Sequence, residues 1–421
     1  MPRLFSIIFS LFLVSSVSAQ AAPSTAESAD PIGQYLSARS IPSYESSLPR
    51  YYFSGEAWNE RAFELVANAK SYILIDSFLV NAHPVNQKII DALREKAEAG
   101  VRVYIIFDSS SYFTYMPDFV SYLPTPVVTF RGTRVNVAEY NSINGTKLFA
   151  LPQLLNRDHR KFWIVDGHTV ALGGMNLNYY SMKESSSLGN IDTFVEVQSP
   201  PAIRQLISSF VETWNLCSPM PLNANSFTTT QPPEPNYQPE TRLWLFDQDL
   251  HGRSEVNALF DSFFNFAQRE LWMIQGYTFA TPELLKKIKK ATSRGVTVNI
   301  LLSTNSFREV YELASNYCVL DLIRAGANVF MFDDPGKAFL HYKLFLADRT
   351  AAAFGSPNFN FRSQYLSREI AILFNDERVG RAAYENLETL LARSRPVTKD
   401  EAERYRGLKY FIAYMEMLFG G

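Results

Sequence analysis

The chain of 421 residues is poor in cysteine and in net charge, and each shortage excludes a class of protein. Two cysteines, Cys217 and Cys318, cannot build a disulfide scaffold or a four-thiolate metal site. In an oxidising compartment they form one bridge between the halves or stay two isolated thiols behaving as small hydrophobes, and the sequence leaves both open. Lys+Arg number 40 against 42 Asp+Glu, for a net charge of −2, and charged residues make up 19% of the chain, below the roughly 25% of an average soluble domain. That balance excludes a basic protein that coats nucleic acid. The one extended apolar stretch, Leu4–Val14, is shorter than the ~20 residues of a membrane span.

Apolar and aromatic residues are plentiful: 47% of the chain is hydrophobic, with 22 Tyr and 32 Phe. A chain of this size buries a substantial core, as two domains or one duplicated unit, without stapling. Residues 1–19 read as a secretory signal, since Arg3 precedes the apolar stretch and Val17-Ser18-Ala19 leads to Gln20 in a cleavage-like pattern. The expectation is an exported protein, periplasmic or secreted, with an uncleaved anchor as the alternative. Residues 20–45, rich in Ser, Ala and Pro, read as a loose segment. Residues 218–240 carry Pro219, Pro221, Pro232, Pro233, Pro235 and Pro239 around Thr228-Thr229-Thr230, and read as a linker. A first lobe then spans 46–217 and a second 241–421.

The lobes repeat each other. Tyr72-Ile73-Leu74-Ile75 leads through Ile89, Ile90, Leu93 and Ala97 to Gly100-Val101-Arg102-Val103; Leu271-Trp272-Met273-Ile274 leads through Leu284, Leu285, Ile288 and Ala291 to Gly295-Val296-Thr297-Val298. The helical stripe, the glycine stop and the apolar runs 104–107 and 299–302 predict a strand-helix-strand unit in each half. Each half then carries the same polar pattern: His159-x-Lys161 with Asp166, and His341-x-Lys343 with Asp348. A second element follows each, Gly173-Gly174-Met175-Asn176 and Gly355-Ser356-Pro357-Asn358, and then an acid, Asp192 or Glu369.

Side chains two apart on a strand point the same way, so each His is presented together with its Lys. Phosphodiester cleavage needs a nucleophile, an acid for the leaving group and positive charge around the phosphoryl oxygens. Two His, two Lys and two Asn supply that set, so no metal or other cofactor is expected. One imidazole attacks phosphorus and the other protonates the departing alkoxide, then activates the incoming water or alcohol. Lys161 and Lys343 neutralise phosphoryl oxygens, and Asn176 and Asn358 add directed hydrogen bonds. Asp166 and Asp348 order the turn at a strand end. Gly173, Gly174, Gly355 and Ser356 read as turn formers beside the phosphate.

On these motifs the sequence resembles the phospholipase D superfamily over roughly residues 50–395, and most of all its bacterial cardiolipin synthase-like branch. The resemblance implies an α/β fold of two pseudo-symmetric lobes, each a mixed, mostly parallel β-sheet flanked by helices, sharing one active site. It implies a covalent phosphohistidine, with His159 as nucleophile and His341 as general acid, and it makes Asp192 and Glu369 the carboxylates that hold the imidazole Nδ1–H. On sequence alone pseudo-symmetry leaves the two histidines interchangeable. Phe359-Asn360-Phe361 before Arg362-Ser363 departs from the usual Leu-Asp or Phe-Asp and touches none of these groups.

The partners expected are a phospholipid substrate, a membrane surface and a water or alcohol acceptor. No nucleic acid is expected, and no oligomer is required because both motifs lie in one chain. The competing readings are a nuclease of the same superfamily, which would want a basic groove, and a non-catalytic membrane-binding scaffold. His83, His168 and His251 have no repeated partners and read as surface or capping residues. Leu408, Phe411, Ile412, Met415, Leu418 and Phe419 follow helical spacing, with Arg404, Arg406 and Lys409 nearby, and predict a helix that lies in a membrane interface or docks on the second lobe.

Overall fold

The computed structural model describes residues 30–112, 126–142, 155–183, 189–227, 237–250, 254–306 and 308–418. The expected signal at residues 1–19, residues 20–29, residues 228–236 of the expected linker, His251 and Phe419 lie outside the described residues. Two mixed sheets flanked by helices form two α/β lobes. The first sheet runs in the order Arg50–Tyr52, Phe194–Val197, Thr169–Gly173, Lys161–Val165, Tyr72–Ser77, Arg102–Asp108, Asn136–Tyr140. The second repeats that order with Thr241–Gln248, Ser367–Asn375, Ala351–Gly355, Lys343–Ala347, Glu270–Gln275, Thr297–Ser303 and Asn328–Phe332. It adds Ser43–Ser46 at one edge and Ser394–Pro396 at the other.

Strand alternation assigns each face to a core. In Lys161–Val165, Phe162 and Ile164 enter a core shared by both lobes, while Trp163 and Val165 enter the first lobe's outer core. In Lys343–Ala347, Leu344 and Leu346 join the shared core, and Phe345 and Ala347 the second lobe's own. Helices Pro200–Cys217 and Glu377–Leu391 add Leu206, Phe210, Trp214, Leu387 and Leu390 to the shared core. Buried apolar surface therefore fixes one lobe against the other.

The strand-helix-strand units are parallel in both lobes. Their helices, Gln87–Glu98 and Pro282–Thr292, bury the predicted stripes, except that Leu285 is only half-buried. The remainder corrects the expectation of a mostly parallel sheet: of the six pairings in the first sheet, four are antiparallel. The reason is local. Each His-Lys strand turns straight back into the next strand, and so tight a connection joins only antiparallel neighbours. The motif aspartates hold those turns. Asp166 accepts from the N–H groups of Lys70, Ser71 and Tyr72 at 2.7–2.9 Å, and Asp348 from those of Gln268, Arg269 and Glu270 at 2.7–3.0 Å. Both sit at positive φ, 52° and 54°.

Residues 30–45, expected to be loose, are packed. Asp30 caps the helix Pro31–Ser37 by accepting from Gly33 N–H, and Ile32 and Leu36 enter the second lobe's core. Ser43–Ser46 then pairs with Thr241–Gln248. Residues 218–227, expected in the linker, return to the first lobe, where Leu222 N–H donates to Asn215 and Phe227 stacks edge-on to Tyr72. Cys217 and Cys318 are both free thiols, and burial pushes each up to about 12. The helix Leu408–Met417 docks Ala413 and Tyr414 against the helix Glu309–Arg324, yet leaves Leu408, Phe411, Ile412 and Met415 42–72% exposed. Among the described residues no helix is long and apolar enough to cross a membrane.

Candidate active site

Both histidines sit two residues before a buried strand, at the seam between the lobes. Two short parallel pairings cross that seam: Arg157–Asp158 with Ser367–Arg368, and Asn190–Ile191 with Phe339–Leu340. The ladders continue as His159 N–H to Arg368 O at 2.9 Å and His341 N–H to Ile191 O at 2.8 Å. One residue further on, the first register sets His159 opposite Glu369 and the second sets His341 opposite Asp192. Each imidazole is thus held by the other lobe. His159 Nδ1 lies 3.0 and 3.2 Å from the Glu369 carboxylate oxygens, and His341 Nδ1 lies 2.7 Å from Asp192 Oδ2. An ionised carboxylate only accepts, so Nδ1 carries the proton and Nε2 keeps the lone pair.

The carboxylates are themselves oriented. Ser356 Oγ donates to Glu369 Oε2 and accepts from Ile370 N–H at 3.0 Å. At the matching position the first lobe has Gly174, where a Cβ would lie 2.2 Å from Asp192 Oδ1. Thr193 N–H donates to that oxygen at 2.8 Å. Gly173 and Gly355 are close approaches of the same kind, to Thr193 O and Ile370 O. Lys161 and Lys343 are buried, and each ammonium donates to the backbone carbonyl of its own histidine. Asn176 Oδ1 accepts from Leu79 N–H at 3.1 Å, which leaves its NH2 to donate.

Burial controls the electrostatics. It pulls His159 and His341 down to about 4, with Glu369 and Asp192 opposing, so both imidazoles are neutral at pH 7. It pulls Lys161 down to about 7 and Lys343 to about 8. At neutral pH Lys161 therefore stands near half charge and Lys343 is mostly charged, and an entering anion draws both toward full charge.

His159, His341, Asn176, Asn358 and Glu369 line one cavity of about 270 Å³, and Lys161, Lys343 and Asp192 lie buried rather than in its lining. Phe78, Tyr180, Tyr277, Tyr311, Arg157, Arg308 and Arg362 line it too, and sequence reading gave none of them a role. Arg362 alone stood inside a motif already noted; the others carry no repeated spacing. Phe78 packs edge-on against His159 at 4.9 Å. Away from the cavity, His83 Nδ1 accepts from Val85 N–H as a helix cap, and His168 lies in the turn after Asp166. Among the described residues no group of three or more His, Cys, Asp or Glu is placed to hold a metal ion.

Two imidazoles oriented by carboxylates, with lysine and asparagine from both lobes, define a phosphoryl-transfer site of the phospholipase D type. The sequence matches the family described as "Cardiolipin synthase, PLD-like domain" over residues 63–214 and 261–391, and the chain belongs to it. It is 28% identical over 375 residues to cardiolipin synthase A of Pseudomonas aeruginosa strain PAO1, covering 87% of this chain and 72% of that protein. It is 27% identical over 364 residues to cardiolipin synthase A of Pseudomonas fluorescens strain SBW25, covering 85% and 71%. Among solved structures, phosphatidylserine synthase of Haemophilus influenzae Rd KW20 shares the fold at a TM-score of 0.68 and 14% identity, over 92% of this chain and 96% of that one.

Proposed function

We propose that the protein transfers a phosphatidyl group from one phospholipid to the hydroxyl of another, as the name of its cardiolipin synthase relatives suggests, with hydrolysis as the same reaction when water is the acceptor. The observation that carries the reading is the cross-lobe pairing of both histidines with carboxylates at a single cavity. In the first step His341 takes up a proton at Nε2 as the anionic phosphodiester binds, and His159 Nε2 attacks phosphorus, forming a P–N bond as the P–O bond to the leaving alcohol breaks and the His341 imidazolium gives that oxygen its Nε2 proton. In the second, the acceptor hydroxyl loses its proton to His341 and attacks phosphorus, and the P–N bond breaks to restore His159. Lys161 and Lys343 hold the non-bridging charge through both steps, with Asn176 and Asn358.

The leader at residues 1–19 supports an exported enzyme working at a membrane. The exposed stripe on the helix Leu408–Met417 supports peripheral attachment, because the helix it docks on also carries Tyr311, a lining residue of the cavity. A lipid surface meeting that stripe would stand beside the cavity mouth. The test is purified protein with phosphatidylglycerol vesicles and ethanol in EDTA, with products read by mass spectrometry. Cardiolipin and phosphatidylethanol, both abolished in His159→Ala and His341→Ala, are expected. Phosphatidic acid alone would make the enzyme a hydrolase, and no lipid product at all would overturn the reading.

A further inference from the structure

The catalytic centre is pseudo-symmetric, but the cavity around it is not. Asn178 and Asn360 occupy matching places, each in nearly the same extended conformation, each accepting from the backbone N–H three residues on, Ser181 or Ser363. Two residues beyond each cap a side chain reaches the cavity lining: Tyr180 in the first lobe, Arg362 in the second. The same structural position is therefore aromatic on one side of the site and cationic on the other. Arg308, also from the second lobe, lines the cavity as well.

Among the described residues Arg362 has no ion-pair partner of the kind a half-buried guanidinium ordinarily collects. Its Nε is buried with no hydrogen-bond partner among the described residues. Among the described residues Glu369 is the one carboxylate lining the cavity, and it is committed to His159 and Ser356. Burial holds Arg362 below the usual arginine range. A planar cation that lines a cavity with no uncommitted carboxylate among the described residues, and whose buried Nε has no partner there, fits a phosphate oxygen.

We propose that Arg362 forms a second anion subsite, which binds the phosphodiester of the acceptor lipid while the lysine and asparagine pairs hold the phosphoryl group being transferred. This rests on the phosphatidyl-transfer reading above. It assigns direction to a pseudo-symmetric site: the second-lobe side receives an acceptor that itself carries a phosphate, such as phosphatidylglycerol. A neutral alcohol has nothing for Arg362 to bind.

The two acceptors can be compared in one vessel. Phosphatidylglycerol vesicles with ethanol offer the same phosphohistidine an anionic and a neutral acceptor, so the ratio of cardiolipin to phosphatidylethanol reports the second step alone. Arg362→Gln is expected to lower that ratio about tenfold or more, the scale of one charge-assisted hydrogen bond. Arg362→Lys, which keeps the charge but not the planar fork, should recover part of it, and Tyr180→Phe should leave the ratio unmoved. An Arg362→Gln ratio equal to that of wild type would overturn the subsite while leaving phosphatidyl transfer standing. A wild-type enzyme that makes neither product would overturn the transfer reading, and the subsite with it. Should Arg362→Gln fail to fold, Arg362→Lys carries the test, since a ratio as high as wild type there shows that the planar fork is not used.

Discussion

The two lobes reach the same geometry at their histidines by different means. Behind His159 stands Arg160, fully buried, ion-paired to Asp76 and Asp158 at 2.8 Å and to Asp247 of the other lobe at 3.1 Å, with Ser209 and Thr213 also accepting. Arg157 pairs with Asp108 nearby, and burial together with Asp158 pushes Asp76 well above the usual carboxylate range. Behind His341 the same position is Tyr342, packed in the shared apolar core with its hydroxyl on Asn386 at 3.0 Å. The carboxylates differ as well: a long Glu steered by a serine hydroxyl faces a short Asp seated over a glycine. What both lobes keep is the strand pairing across the seam and the Nδ1–carboxylate contact. The requirement placed on each half is the imidazole's orientation, and the support behind it is free to vary.

Breaking the shared element should cost most. Asp192→Asn and Glu369→Gln each replace an acceptor-only group by one that can favour the wrong tautomer, and turnover should fall by about 10²–10⁴-fold in steady-state assays, by a similar factor in either lobe. A loss confined to one of them would show that only one histidine needs its partner. Gly174→Ala and Ser356→Ala sharpen the contrast. A Cβ at 174 collides with the Asp192 carboxylate, so the loss should approach that of Asp192→Asn, whereas losing the Ser356 hydroxyl removes one hydrogen bond and should cost about tenfold.

The supports should differ in stability rather than in rate. Arg160→Met strands buried carboxylates and should lower the unfolding free energy by about 3–5 kcal/mol, while Tyr342→Phe should cost about 1 kcal/mol; denaturant titrations of the two variants compare them directly. Sulfate, whose charge is constant above pH 4, should raise the melting temperature in a way that follows the lysines. With Lys161 at about 7 and Lys343 at about 8, both are protonated well below 7, where the shift should be full, and it should fade as the pH rises through 7 and 8. A shift unchanged at pH 9 would place the anion elsewhere.

Much of this was legible in the sequence. The paired His-x-Lys strands, the helical stripes and the turn aspartates are all local patterns, and local spacing fixes them. Which lobe's carboxylate holds which histidine is not local. It follows from a strand register across the seam, between segments some 150 and 210 residues apart in the chain. The antiparallel half of each sheet was hidden because the parallel units carry the stronger signal. The segment 30–45 was misjudged on composition, although Asp30, Pro31 and the i, i+4 pair Ile32 and Leu36 are a helix start with an apolar face. Arg362 was visible beside a motif, but its unused donor appears only once the cavity is built.

The central claim is that two half-sites make one catalytic centre with one covalent intermediate. Stopping the reaction of phosphatidylglycerol vesicles with an alkaline denaturing quench, and mapping adducts by peptide mass spectrometry, tests it directly. The account predicts one phosphatidyl adduct per chain, on the peptide holding His159, accumulating in His341→Ala and absent from His159→Ala. Two adducts per chain, one in each lobe, or steady turnover with no adduct at all, would contradict it.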